Sequence, residues 1–182
     1  MKVKDLLVKV AEEVGEDRVK ETLANLTDKE EEYDGWLNGH EMEVEYLLDY
    51  FKIAVKDICR TEIEFKKTIK IKSVKQHYAL YWLGSPVLSI CSVLKDGSPV
   101  NYKRDHTTNM LEFEEDGEYE ITIKTIAEFD HIYNEIPVVF EKFEHVFVLA
   151  TAAFWFLAHQ MVELFNDFHD RYIDEIQDMK NQ

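Results

Sequence analysis

Four polar side chains near the C-terminal end have a spacing that could hold a divalent cation: His159 and Glu163, four residues apart, followed by Asp167 and Asp170. On a single helix an i, i+4 pair faces one way, and imidazole with carboxylate suits such an ion. The pattern is neither His-Glu-x-x-His nor the Glu-x-x-His of di-iron bundles, so it reads first as the polar edge of an otherwise buried helix, and no metal is expected. Nucleophiles fare no better. Ser89 and Ser92 flank Cys91 in a strand-like stretch, where a nucleophile elbow would need a strand-to-helix turn. Cys91 reads as a buried structural thiol. His131, His145 and His169 have no serine or cysteine in a recognised nucleophile context. The carboxylates of Glu114-Glu115-Asp116 read as solvated turn residues rather than as an acid and base pair. Neither enzyme activity nor a cofactor is expected.

Lys66, Lys67, Lys70, Lys72 and Lys75 form the one basic concentration, with Tyr78, Tyr81 and Trp82 close by in sequence. Lysines interleaved with aromatics can bind single-stranded nucleic acid on a sheet. Lysines also blunt an edge strand against unwanted pairing. An edge strand, or an acidic protein partner, is the favoured reading, because a chain of net charge −16 repels phosphate.

That charge is unevenly spread. Residues 1–62 carry net −8, residues 63–105 net +5, and residues 106–182 net −13. A basic surface on one subunit could therefore meet an acidic surface on another. The 182 residues, 46% of them hydrophobic, suffice for one domain with a real core. Two cysteines make neither a zinc box nor a disulfide framework, which fits a reducing compartment. Val146 to Ala158, the longest apolar stretch, is too short for a bilayer, so no membrane partner is expected.

The elements that must position these residues follow from periodicity. Leu6, Leu7, Val10 and Val14 mark a helix over 2–14, ended by Gly15, and Val19, Leu23 and Leu26 a second over about 17–26. Residues 27–40 read as an acidic loop or hinge in which Trp36 and Leu37 dock on the core. Val44, Leu47, Leu48, Phe51, Val55 and Ile58 give a helix over 41–60. The period then changes to two. Ile69 and Ile71 oppose Lys70 and Lys72. Tyr78, Leu80 and Trp82 share one face of the next strand. Val87 to Leu94 reads as a central strand, and Tyr119, Ile121 and Ile123 alternate with Glu118, Glu120 and Thr122. Short strands are expected at Val100 to Arg104 and Met110 to Phe113, with turns at Gly84-Ser85-Pro86, Asp96-Gly97 and Asp116-Gly117. After a loop at 130–137, a helix over about 140–164 is apolar nearly all round, with Leu149, Ala153 and Leu157 as core positions. An acidic helix over about 166–179 turns Phe165, Phe168, Tyr172 and Ile176 inward. The fold class is α+β: a small, mainly antiparallel sheet (63–128) between N-terminal helices (1–62) and a C-terminal helical pair (129–182), as one domain.

From about residue 41 to 178 the chain resembles the head-tail connector (adaptor, or head-completion) proteins of long-tailed bacteriophages. The resemblance rests on the helix EYLLDYFKIAVKDICRTEI and on YALYWLGSPVLSICSVLKDGSPVNY, with its aromatic strand, Ser-Pro turn, Ile/Val strand and Asp-Gly turn. It continues through the Gly-x-Tyr-x-Ile strand at 117–121, Ala152-Ala153-Phe154-Trp155, and a terminal helix containing Arg171-Tyr172. Family members often break before the last helix, whereas His159 to Leu164 supplies no glycine. The resemblance implies a structural virion protein of the neck, present in the host cytoplasm before assembly, that forms a dodecameric ring with itself. Such a ring docks on the portal protein, meets a neck or tail-terminator protein, and extends the channel through which DNA passes without specific binding. Within that frame the five lysines are candidate subunit-interface residues. Glu114, Glu115, Asp116, Asp170, Asp174 and Asp178 are candidate channel-facing residues. The alternative is a small non-enzymatic regulatory or binding module acting on a protein or nucleic acid.

Overall fold

In the computed structural model, which describes residues 1–26 and 41–181, the chain is α+β, with six helices and two antiparallel sheets among the described residues. The proposed hinge at 27–40, with Trp36 and Leu37, lies outside the described residues. Contacts divide the chain into two compact units. One joins Met1–Asp57 with Phe129–Gln182, and the other is Ile58–Glu128, so the two helical ends of the sequence share a unit and the strand region forms its own.

The helical unit holds α1 (Val3–Glu13), α2 (Asp17–Asn25), most of α3 (Glu41–Thr61), the short α4 (Val138–Glu141), α5 (Glu144–Ala158) and α6 (Val162–Lys180). The Asp5 carboxylate accepts the Lys2 N–H at 2.9 Å and caps the start of α1. Lys4, buried, donates its ammonium to the Leu26 carbonyl at 2.8 Å, which satisfies an acceptor at the end of α2. The first turn of α1 is tied to the 130–137 connection by Val3 N–H to Asn134 O at 3.0 Å and Lys4 N–H to Ile132 O at 2.7 Å. Aromatics fill the middle: the Phe51 ring lies 5.2 Å from Phe129 and 6.1 Å from Phe147, which is 5.2 Å from Phe140.

Helix α5 is the buried one, with every residue from Val146 to Ala153 shielded from solvent. The Thr151 hydroxyl, the one polar side chain in that run, donates to the Phe147 carbonyl at 2.6 Å and so is not left unsatisfied. Phe168, Tyr172 and Ile176 of α6 are buried as the periodicity predicts, while Phe165 is only half-buried.

The expected single helix over 140–164 is in fact three pieces, and the decisive break falls after Ala158. Gln160 takes φ +60°, Met161 N–H reaches Phe156 O at 2.9 Å, and Gln160 N–H reaches Leu157 O at 3.0 Å. These two bonds around one left-handed residue form a Schellman turn, normally built on glycine. Two expectations fall with it. Leu157 is 45% exposed rather than core, because it sits in the last turn of α5 where no neighbour covers it. His159 and Glu163 do not share a helix, since His159 caps α5 and Glu163 opens α6.

The strand unit contains β1 (Phe65–Ser73), β2 (His77–Ala79), a 3-10 turn (Leu80–Leu83), β3 (Ser89–Lys95), β4 (Ser98–Pro99), β5 (Tyr102–Asp105), β6 (Met110–Phe113) and β7 (Gly117–Thr125). One sheet runs β1-β7-β3-β4 and the other β2-β6-β5, with every pairing antiparallel. Strand β7 alternates as predicted, with Tyr119, Ile121 and Ile123 inward. They pack with Ile71, Val93, Leu111, Phe113, Leu80 and Leu83 into the core of this unit. Tyr119 stacks on Phe113 at 4.1 Å, and its hydroxyl donates to the Glu115 carbonyl at 2.8 Å. The β3–β4 hairpin closes on Asp96 (φ +52°) and Gly97 (φ +78°), the two left-handed positions of a type I′ turn.

Two strand-level expectations are corrected. Tyr78, Leu80 and Trp82 do not share a face, because the chain leaves β2 after Ala79 and coils into the 3-10 turn. Leu80 and Leu83 then point in, while Tyr81 and Trp82 point out. Cys91 is exposed, not buried. It occupies the β-bulge where the register of β3 against β7 shifts between Ile90 and Ser92, which turns the extra residue outward. β4 pairs with only Leu94 and Lys95, so β3 lacks a strand neighbour on that side for most of its length.

Candidate functional site

The five lysines do not form one surface. Lys66, Lys70 and Lys72 alternate on the outward face of β1, an edge strand in its sheet. Lys67 has the opposite parity and donates to the Ser85 hydroxyl at 3.1 Å. Lys75 lies past the strand, at φ +53° in the turn to β2. Across the ladder β7 presents carboxylates to the outward lysines. Lys70 pairs with Glu120 at 3.2 Å, Lys72 stands opposite Glu118, and Lys66 instead takes Glu64 at 2.7 Å. The Lys66–Glu64 hydrogen bond and charge hold the Glu64 carboxyl below its ordinary range and raise the Lys66 ammonium. Between them Thr68 and Thr122 share a hydrogen bond at 2.9 Å. The basic sequence block is thus partly neutralised by nearby carboxylates, in exposed pairs that add little to stability.

The acidic candidates fall into two sets in different units. Glu114, Glu115 and Asp116 form the β6–β7 turn, and they are more engaged than the sequence suggests. Glu115 takes Lys95 at 2.6 Å, and Asp116 Oδ1 accepts the Gln76 N–H at 2.5 Å. The Glu114 carbonyl accepts from the Gln76 amide at 2.8 Å. Those bonds hold a two-residue turn in which both Lys75 and Gln76 have positive φ. Next to it His77 donates from Nδ1 to the Lys75 carbonyl at 2.5 Å, with Nε2 at 3.3 Å from Glu112. The backbone bond first, and Glu112 after it, raise the His77 pKa. The second set, Asp170, Asp174 and Asp178, lies at i, i+4, i+8 along exposed α6. Asp170 has His169 at 3.6 Å, and neither Asp174 nor Asp178 has a cationic partner among the described residues. That stripe of like charge costs helix stability by itself.

Two depressions in the surface are large enough for a small ligand. One of about 260 Å³ lies over β5 and β6, lined by Asn101, Tyr102, Lys103, Glu112, Phe113 and Glu114. The other, about 550 Å³, is lined by Lys9, Glu12, Glu13, Lys142, Glu144, His145 and Val148. In the second several charges are paired: Lys9 contacts Glu144, Lys20 meets Glu12 at 3.0 Å, and His145 meets Glu175 at 2.5 Å. Neither brings a nucleophile to a base. Among the described residues no group of three or more His, Cys, Asp or Glu is placed to hold a metal, and no helix is long and apolar enough to cross a membrane.

What periodicity missed is exposed apolar surface. At the α5–α6 turn all residues from 157 to 164 are exposed, among them Leu157, Met161, Val162 and Leu164. On the strand unit Tyr81 is 70% and Trp82 62% exposed. Trp82 meets Tyr78 and Tyr81 edge to face at 5.7 and 5.2 Å. Met42, Tyr46 and Ile53 of α3 are exposed as well. A signal for the last was present, since 42, 46 and 53 fall on a second stripe at helical spacing, away from the core stripe. Exposed apolar clusters rimmed by polar residues can mark interaction surfaces.

The chain matches no protein-family model and no curated protein sequence.

Proposed function

We propose that this protein is a structural virion component, a head-tail connector that assembles with itself into a ring, docks on the portal protein and continues the DNA channel toward the neck or tail. The observation that carries the reading is apolar surface left exposed on both units, within an element order (helices, antiparallel sheets, helical pair) that the resemblance to connectors implies. A ring subunit needs two different faces that complement each other, and the separate aliphatic and aromatic patches are the candidates for them. In this reading Lys66, Lys70 and Lys72 on the outward face of β1, Lys67 on its opposite face and Lys75 in the turn beyond it meet acidic surfaces of neighbouring subunits. Asp170, Asp174 and Asp178, with Glu114, Glu115 and Asp116, are the acids offered to the DNA path, where they would repel phosphate and let the duplex slide. Electron microscopy of the purified chain, alone and mixed with a portal ring, tests this. Closed rings, or an extra ring on the portal, support it, and particles no larger than a dimer in both samples favour the binding-module alternative.

A further inference from the structure

We infer that copies of this chain join head to tail, the apolar α5–α6 tip of one copy packing on the Tyr81–Trp82 ledge of the next. The inference rests on the ring reading above and names the two surfaces that make the contact.

Each surface is exposed and held in shape before any partner arrives. At the tip, the Schellman bonds from Gln160 and Met161 fix the path of the chain, so Leu157, Met161 and Val162 project from a defined turn. At the ledge, Leu80 and Leu83 anchor the 3-10 turn in the core, Leu80 N–H bonds Asn109 O at 3.0 Å, and Gly84 (φ +63°) ends the turn. Preorganised apolar surface loses little entropy on association.

The two surfaces also differ in the ways that suit them to each other. The tip is aliphatic with a thioether, the ledge aromatic, and sulfur–ring contacts are favourable. The tip carries an acidic rim: Glu163 has no cationic partner among the described residues, and Asp167 has only Arg171 at 3.8 Å. Beside the ledge, Lys67 donates to the neutral Ser85 hydroxyl and pairs with no carboxylate among the described residues. A contact between unlike patches is heterologous. It leaves one free tip and one free ledge on every open chain, and so it propagates until a ring closes.

The test uses the full chain in sedimentation velocity, with Trp82→Ser removing the ledge and Met161→Lys the tip. Both side chains are exposed, so the circular dichroism of each variant should match wild type. Wild type is expected to self-associate with rising concentration, and each variant alone to sediment as a monomer. An equal mixture of the two variants should give a dimer and nothing larger, because only one competent tip and one competent ledge remain per pair. Glu163→Lys should weaken assembly, and adding Lys67→Glu to the same chain should restore it. A wild-type chain that stays monomeric at every concentration overturns the inference, as do variants that associate like wild type or a mixture that yields no dimer. In each of those cases the connector reading still stands or falls on ring formation at the portal.

Discussion

Gln160 offers the sharpest test of how the helical pair is built. Its φ of +60° places a β-carbon against the following carbonyl, which costs an L-residue roughly 1–2 kcal/mol. Replacing it with glycine removes that cost but adds backbone entropy to the unfolded chain, about 0.5–1 kcal/mol. The difference predicts that Gln160→Gly stabilises the helical unit by about 0.5–1 kcal/mol. Gln160→Ala keeps the β-carbon and should change stability by less than about 0.5 kcal/mol. Gln160→Pro cannot reach positive φ and removes the N–H that bonds Leu157 O, so it should cost about 3 kcal/mol or more. Urea unfolding followed by helical circular dichroism, with the slope unchanged across variants, reads all three. A glycine variant no more stable than the alanine variant would refute the left-handed turn, and with it the separation of α5 from α6 that exposes the tip.

Other consequences can be checked in the same preparation. Leu149, 1% exposed in α5, should lose about 2–5 kcal/mol on truncation to alanine, because its neighbours cannot collapse into the space; a loss near zero in urea would place that face at the surface. Cys91 is exposed, while burial pushes the Cys59 thiol up, so a thiol reagent should titrate one cysteine in the native chain and the second only on unfolding; rapid reaction of both would contradict the placement of Cys59. His77 has a folded pKa raised above its unfolded value. Its contribution to stability is therefore full below the unfolded pKa, near 6.5, and is lost as pH rises through the folded pKa. The neutral ring can donate to only one acceptor, the Lys75 carbonyl, so the bond to Glu112 needs the imidazolium. Unfolding of the strand unit at mildly acidic and mildly alkaline pH should show this gain in wild type and not in His77→Gln, and an identical pH dependence in both would remove the histidine from the account.

The sequence was most legible where one side chain pattern had one partner surface. β7 shows this: Tyr119, Ile121 and Ile123 alternate with polar residues, and one face is core. The core faces of α1, α2 and α3 were equally readable, since Leu6, Leu23 and Phe51 sit on stripes that face the interior. Illegibility came from backbone turns that glycine did not announce. Lys75, Gln76 and Gln160 all have positive φ. The turn at the first two is held through Gln76 by Asp116 and Glu114 from the β6–β7 turn, partners about 40 residues distant that no local window includes. Missing the 160 turn put Leu157 in the core and His159 on the helix of Glu163. Missing the 3-10 turn hid Tyr81 and Trp82 inside a strand. Of the candidate residues, the parity of Lys66, Lys70 and Lys72 could be read from alternation. The pairing of Lys70 with Glu120 could not, because ladder register is set by the tertiary fold.

If this chain builds a closed ring on a portal, as proposed, the mass of the complex shows it when the full chain, of 21.6 kDa, is added in excess to a purified portal ring and the unbound protein removed. Saturable addition of one subunit of this chain per portal subunit is expected, cooperative in concentration and weakened by salt. A portal whose mass does not change, or which binds scattered copies without saturation at a full ring, would contradict it.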